Sequence, residues 1–377
     1  MTTFTSMAMA NEKSNTIVYG DDDRVETYQA SARDQLLASS TAGMLTNVEA
    51  IDLGDSFMLP PKSIEDAMGL CKDERFSDQP SSVVCSGFLV GPDLLVTAGH
   101  CVTTQERCDE VTFVFDYKIN QKTKRADMIV GKDSVYKCKT LLDAKLENLP
   151  GDKRDYALLR LDRVVKNKTP LKFRHSGMVD NKDSLVVIGH PSGLPQKVAA
   201  GASIFRNSSE QAYFDTNLDT FGGNSGSAVF NNKTGMIEGI LVRGAKDYIK
   251  NEDNGCIVVN TAPEDITDKD NLGESVSRIT DIPSLKNRKE FMKAAAAGNI
   301  TEMKRLIDSG VSINIVDEKN NTALHIVAAN KNLTAAKFLI DKGIDAEAIN
   351  LAGKTADQMR NFNGKVNMLI KVAISKK

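Results

Sequence analysis

The chain has 377 residues, 41% apolar and 26% charged, with 48 basic against 50 acidic residues and a formal net charge of −2. That length exceeds one ordinary hydrophobic core and suits two domains. The near-neutral balance argues against nucleic-acid binding, and no apolar run approaches the ~20 residues of a membrane-spanning helix, so a soluble globular protein is expected.

The first ten residues, MTTFTSMAMA, close on Ala8-Met9-Ala10 ahead of the polar Asn11-Glu12-Lys13. This small-x-small pattern suits an export signal, but a basic start and a full apolar stretch are missing. Residues 1–15 therefore read either as a signal remnant or as a disordered tail. Residues 11–60 are polar and irregular; the run Asp21-Asp22-Asp23-Arg24 reads as solvated, and a short helix is expected near Arg33 to Ala38. From Val83 to Thr261, short apolar runs (SGFLV, LLVTA, VTFVF, YALLRL, SLVVIG, GMIEGILV) alternate with turn residues, the spacing of a β-sandwich or barrel. Residues 262–288 carry many charges and no apolar period, which marks the tail of the first domain and a linker.

Beyond Arg288 the period becomes helical and the chain repeats itself. Leu306-Ile307-Asp308 returns as Leu339-Ile340-Asp341, Gly310 as Gly343, Asn299 as Asn332, Thr322 as Thr355 and Ala323 as Ala356, a spacing of 33 residues. Small Ala328 and Ala329 permit close helix stacking, and Gly310 and Gly343 permit a left-handed cap. The stretch NTALHIVAA, residues 321–329, resembles the ankyrin signature, with Ala323 where that family often has proline. His325 is then expected to hydrogen-bond its turn. The first and third units are degenerate, so an array of two to three units over 286–377 should lean on the first domain.

All six cysteines lie before residue 260, which suggests disulfides in an oxidising compartment; their spacing does not fit a CxxC zinc pattern. Three stretches carry chemistry. CSGFLVGPDLLVTAGHC, residues 85–101, reads as two strands turned at Gly91-Pro92-Asp93 and ending on His100. DYALLRL begins on Asp155, and FGGNSGSAVF, residues 221–230, places Ser225 among glycines. A serine hydroxyl is a poor nucleophile unless a base takes its proton.

Thr97-Ala98-Gly99-His100-Cys101 resembles the histidine motif of trypsin-like, chymotrypsin-fold serine proteases, and the order His100, Asp155, Ser225 is that of this fold. Gly223-Asn224-Ser225-Gly226 resembles the nucleophile loop of their bacterial glutamyl-endopeptidase-like branch, and Tyr19 to Arg24 is similar to the opening of such proteases. The resemblance implies an all-β two-barrel chymotrypsin-like domain over 16–285, followed by the all-α ankyrin array. It implies a secreted serine endopeptidase acting on protein or peptide substrates with no cofactor and no metal. Ser225 would attack, His100 would move the proton, Asp155 would orient it, and the Gly223 and Ser225 N–H groups would form the oxyanion hole. Ser227 is read as a bystander.

Trypsin-type zymogens carry Asp where this chain has Asn224, and that Asp receives a released N-terminal ammonium; uncharged Asn224 implies a site organised without such an ion pair. Asp219 lies where trypsin-like enzymes place a pocket-base acid, and Thr220 matches a pocket threonine of glutamyl endopeptidases. Leu241 replaces the histidine used for glutamyl specificity, and Arg243 is placed to offset Asp219. A basic or mixed preference is favoured, then apolar, then acidic. His190, in a Gly-His-Pro loop of the family, reads as structural or near the substrate, and His175 as exposed or capping. The resemblance implies a Cys85–Cys101 bridge. Cys71 with Cys108, leaving Cys138 with Cys256, is the arrangement favoured for the rest among the many that six cysteines permit. Other classes stay open: a proteolytically inactive scaffold, or a protein whose ankyrin repeats dock a partner.

Overall fold

The computed structural model describes residues 18–47, 49–147, 152–244, 246–253, 255–262, 273–359 and 364–375. The Ala8-Met9-Ala10 pattern lies outside them. Six strands, Thr41–Thr46 (β1), Cys85–Leu89 (β2), Leu94–Thr97 (β3), Val111–Phe115 (β4), Val135–Leu146 (β5) and Asp155–Leu161 (β6), close into a barrel in the order β5-β6-β3-β2-β1-β4. β2, β3 and β6 are buried along their whole length, which is why they read as continuous apolar runs without alternation.

The second sheet holds Leu185–Gly189 (β7), Lys197–Ala202 (β8), Ile204–Arg206 (β9), Tyr213–Thr216 (β10), Ala228–Asn231 (β11), Ile237–Arg243 (β12) and Glu274–Arg278 (β13). Its order is β9-β10-β13-β12-β11-β7-β8, with the short strand Val25–Glu26 added beside β8. β8 and β9 are halves of one segment interrupted at Ser203, so the chain itself joins the two ends of the curled sheet. β13 lies in the stretch 262–288, read as the tail of the first domain and a linker, and shows that the tail carries a strand where no apolar period announces one. The stretch ESVSR is a fully buried strand between β10 and β12, and its polar side chains are satisfied inside: the Ser275 hydroxyl donates to Asp215 at 2.7 Å.

The helical region comprises Arg288–Ala297 (α1), Ile300–Asp308 (α2), Ala323–Ala329 (α3), Leu333–Asp341 (α4) and Lys365–Ser375 (α5). The repeated asparagines cap equivalent helices: Asn299 accepts the Glu302 N–H and Asn332 the Ala335 N–H, at 3.1 and 3.0 Å. Gly310 and Gly343 take φ of 97° and 83° after α2 and α4. His325 accepts from the Thr322 N–H on Nδ1 and faces the Lys354 carbonyl at 3.0 Å through Nε2, which ties one turn to the next. In the third unit only a 3₁₀ turn, Ala356–Gln358, stands where α3 has its counterpart.

This array is not a separate body. One apolar cluster runs from Phe88 and Phe113 through Ile240, Ile279, Ile282 and Leu285 to Phe291, Leu306 and Leu339. At the seam the Ser284 N–H donates to Asp143 at 3.2 Å, and Arg160, paired with buried Asp93 at 2.9 Å, also reaches the Ile349 carbonyl.

Disulfides join Cys85 to Cys101, Cys108 to Cys138 and Cys71 to Cys256. The arrangement Cys71–Cys108 and Cys138–Cys256 is therefore not formed. Cys108 sits on the short helix Gln105–Asp109, which Gln105 ties to β5 through the Leu141 N–H at 2.8 Å, beside Cys138. Cys71 hydrogen-bonds its N–H to the Ile257 carbonyl at 2.8 Å, beside Cys256. The run Asp21 to Arg24 is not simply solvated either, because Arg24 is 2% exposed.

Because the core is shared, denaturant should unfold β and helical regions in one transition. Truncating Phe291, 0% exposed, to Ala should lower stability by about 3–5 kcal/mol and move both regions together. Circular dichroism alongside tyrosine fluorescence checks this; a separate helical transition would show two independent units.

Candidate active site

β6 pairs antiparallel with β3, with Ala157 opposite Thr97, so the start of β6 lies beside the turn that follows β3. Asp155 opens β6 and is 1% exposed. Its Oδ1 accepts the His100 backbone N–H at 3.0 Å, and its Oδ2 lies 2.8 Å from His100 Nδ1. A carboxylate at that distance accepts, so the ring proton between them sits on Nδ1, and Nε2 is the ring nitrogen left outside the pair. Asp155 is anchored from the second sheet as well: its N–H donates to Ser277 Oγ on β13 at 3.1 Å.

Ser225 lies on the loop between β10 and β11 and is half-buried. Its carbonyl accepts the Ser86 N–H at 2.7 Å and lies 3.8 Å from Cys101 Sγ, next to His100 in the chain. The structure therefore brings the loop of Ser225 against the TAGHC turn. Gly223 has φ of 92°, and a Cβ there would stand 2.6 Å from the His190 carbonyl, so only glycine fits. Asn224 is 2% exposed; its N–H closes a turn onto the Phe221 carbonyl at 2.9 Å, and its Oδ1 accepts the Ser227 hydroxyl at 3.1 Å. Ser227 is thus no bystander.

Ser86 escaped the sequence reading. Its hydroxyl donates to the Gly223 carbonyl at 2.9 Å and accepts the His190 N–H at 3.0 Å, so one side chain ties β2 to both loops. Only its place beside Cys85 could have singled it out. Cys85, His100 and Cys101 lie close enough to share an ion, but both sulfurs are spent in their disulfide and the donor set does not fit a metal.

The four residues named for substrate binding are distributed differently. Asp219 is 4% exposed and accepts the Asp23 N–H at 2.9 Å. Thr220 donates its hydroxyl to Glu274, a buried acid on β13 that the sequence reading did not single out. Leu241 is buried and bonds through its backbone to Gly226 and Ser227 at 2.8 and 3.0 Å. Arg243 does not offset Asp219: it donates to the Glu147 carbonyl at 3.0 Å and lies 4.0 Å from Asp155 Oδ2. His175 is exposed, with its ring against Phe173.

A closed barrel and a curled second sheet, with His100, Asp155 and the Ser225 loop gathered at their junction, define a chymotrypsin-like fold. A family model described as trypsin-like peptidase domain matches residues 85–240, and one described as ankyrin repeats (many copies) matches 291–356. The chain carries a trypsin-like peptidase domain followed by ankyrin repeats. No curated protein matches it. Similar solved structures include a Glu endopeptidase in complex with MPD, at 17% identity and TM-score 0.41, covering 70% of this chain and 94% of that one. Another is the Vibrio cholerae VesB protease, at 11% identity and TM-score 0.42, covering 72% and 67%. The Rv3671c protease in its inactive form stands at 14% and 0.37, covering 68% and 92%.

His190 gives this site a pH dependence. It is 1% exposed, stacked on Tyr117, with Nδ1 at 3.0 Å from the Leu194 carbonyl. Burial is the main cause that lowers its pKa from 6.5 to about 4, with Lys197 adding to it and the Leu194 carbonyl opposing it. Between pH 4 and 6.5 the unfolded chain binds more protons at this residue, so stability rises with pH there and is lost as pH falls toward 4. The full difference is about 3 kcal/mol. Urea unfolding at pH 7 and pH 4 should show His190→Gln losing less stability than the wild type by about that amount.

Proposed function

We propose that this protein is a secreted serine endopeptidase, with its peptidase unit over 16–285 and its repeats over 286–377. The observation that carries this reading is the grip of buried Asp155 on His100 through both carboxylate oxygens, beside the loop that bears Ser225. Ser225 Oγ attacks the scissile carbonyl while His100 Nε2 takes its proton. The charge formed on the carbonyl oxygen is met by the Gly223 and Ser225 N–H groups, each worth roughly 3 kcal/mol in sites of this kind. His100 then protonates the leaving amine, and water repeats the sequence on the acyl-enzyme.

Secretion is supported by the three disulfides, and no described helix is long and apolar enough to cross a membrane. Two buried acids at Thr220, Asp219 beside it in the chain and Glu274 bonded to it, support a basic or mixed preference at the cleavage site. The repeats brace the peptidase: the Ile349 carbonyl accepts from Arg160 of the first barrel, and the Ser312 N–H donates at 2.9 Å to Ser284, which Asp143 holds.

A serine-directed phosphonate should label the wild type and leave Ser225→Ala unlabelled; equal labelling of the two, or none in the wild type, overturns the reading and favours an inactive scaffold. Asp155→Asn should keep the fold and lower turnover of peptide substrates by roughly 10⁴-fold, through loss of the correct imidazole tautomer.

A further inference from the structure

The charged run at the start of the described chain holds a buried cation. Asp22 grips Arg24 with two parallel bonds, Nε to Oδ1 at 2.8 Å and Nη2 to Oδ2 at 2.7 Å, and accepts its backbone N–H at 3.1 Å. Arg75 adds a second cation 3.1 Å from Asp22 and donates to the carbonyls of Asp22 and Arg24 at 2.5 and 2.6 Å. The guanidinium of Arg24 lies over two rings, 3.9 Å from the centroid of Phe221 and 5.2 Å from that of Phe76. One residue earlier, the Asp23 N–H binds Asp219. A forked pair of this kind keeps an arginine charged inside a protein, and a cation over an aromatic face gains strength as water is excluded.

Phe221 is where this cluster meets the nucleophile loop. Tyr248 packs against the same ring at 5.3 Å. The Phe221 carbonyl accepts the Asn224 N–H, and the next residue, Gly222, donates its N–H to Asp247 at 2.6 Å. Asn224 has no charge with which to receive an ammonium, so the turn Phe221 to Asn224 must be fixed by other means.

We infer that Arg24 is a positioning residue for the Ser225 loop: stacked on Phe221 and clamped by Asp22, it fixes the turn that presents the Gly223 and Ser225 N–H groups. An internal cation thus stands in for the released N-terminal ammonium of trypsin-type activation. This rests on the serine-endopeptidase reading above.

The test compares phosphonate labelling rate and peptide turnover in the full chain. Arg24→Met should slow labelling and lower kcat by roughly 10–100-fold, with KM changed by less than about threefold, and Arg24→Lys should restore part of the loss. Phe221→Leu, which leaves the Asp22–Arg24 pair in place, should lower kcat similarly, and the double variant should be little worse than either single one. If Arg24→Met does not fold by circular dichroism, Phe221→Leu decides. Wild-type rates in the folded variants overturn the inference. So does a many-fold rise in activity when residues 1–17 are removed, because activation would then depend on a new N-terminus. A wild type that is not labelled at all overturns the endopeptidase reading instead.

Discussion

A carboxylate removed from water destabilises the fold by several kcal/mol unless donors surround it, and Asp155 is almost wholly removed. Its donors come from the backbone and the ring of one residue, His100, so satisfying the acid and aiming the imidazole are the same event. The rest of the site follows from where that acid sits. Asp155 starts the β6 strand of the first barrel, while its own N–H is held by Ser277 in the second sheet. The two halves therefore cannot separate without uncovering it.

Ser86 performs a comparable service for the opposite wall. Next to Cys85 on β2, it bonds the Ser225 carbonyl through its N–H and the Gly223 carbonyl and His190 N–H through its hydroxyl. The Ser225 loop and the His190 turn are thus both tied to β2. The ankyrin repeats extend the same frame, since their core is continuous with that of the barrel and the second sheet.

Much of this was legible in the sequence because the relevant forces are local. TAGHC, the apolar strands and the 33-residue period each announce themselves within a few residues, and the short helix near Arg33 forms as Ala32–Ala38 with Ser31 as its cap. What escaped depends on distant partners. β13 is polar in sequence and buried in space because Asp215 and Thr220 wait for its Ser275 and Glu274. Arg24 looks solvated until Phe221, almost two hundred residues later, covers it. Pairing cysteines by elimination failed for the same reason, since Cys71 meets Cys256 only when Ile257 returns beside it.

That last bridge has a bearing on how the chain matures. Its partners are 185 residues apart, whereas the other two bridges close over separations of 16 and 30. As the polypeptide emerges from its N-terminal end, the two short bridges can be oxidised while the first barrel is still assembling. Cys71 must persist as a thiol until most of the second sheet has followed. The order of oxidation is thereby written into the spacing, and an early encounter between Cys71 and any of the four nearer sulfurs is the wrong turn that an isomerase would have to undo.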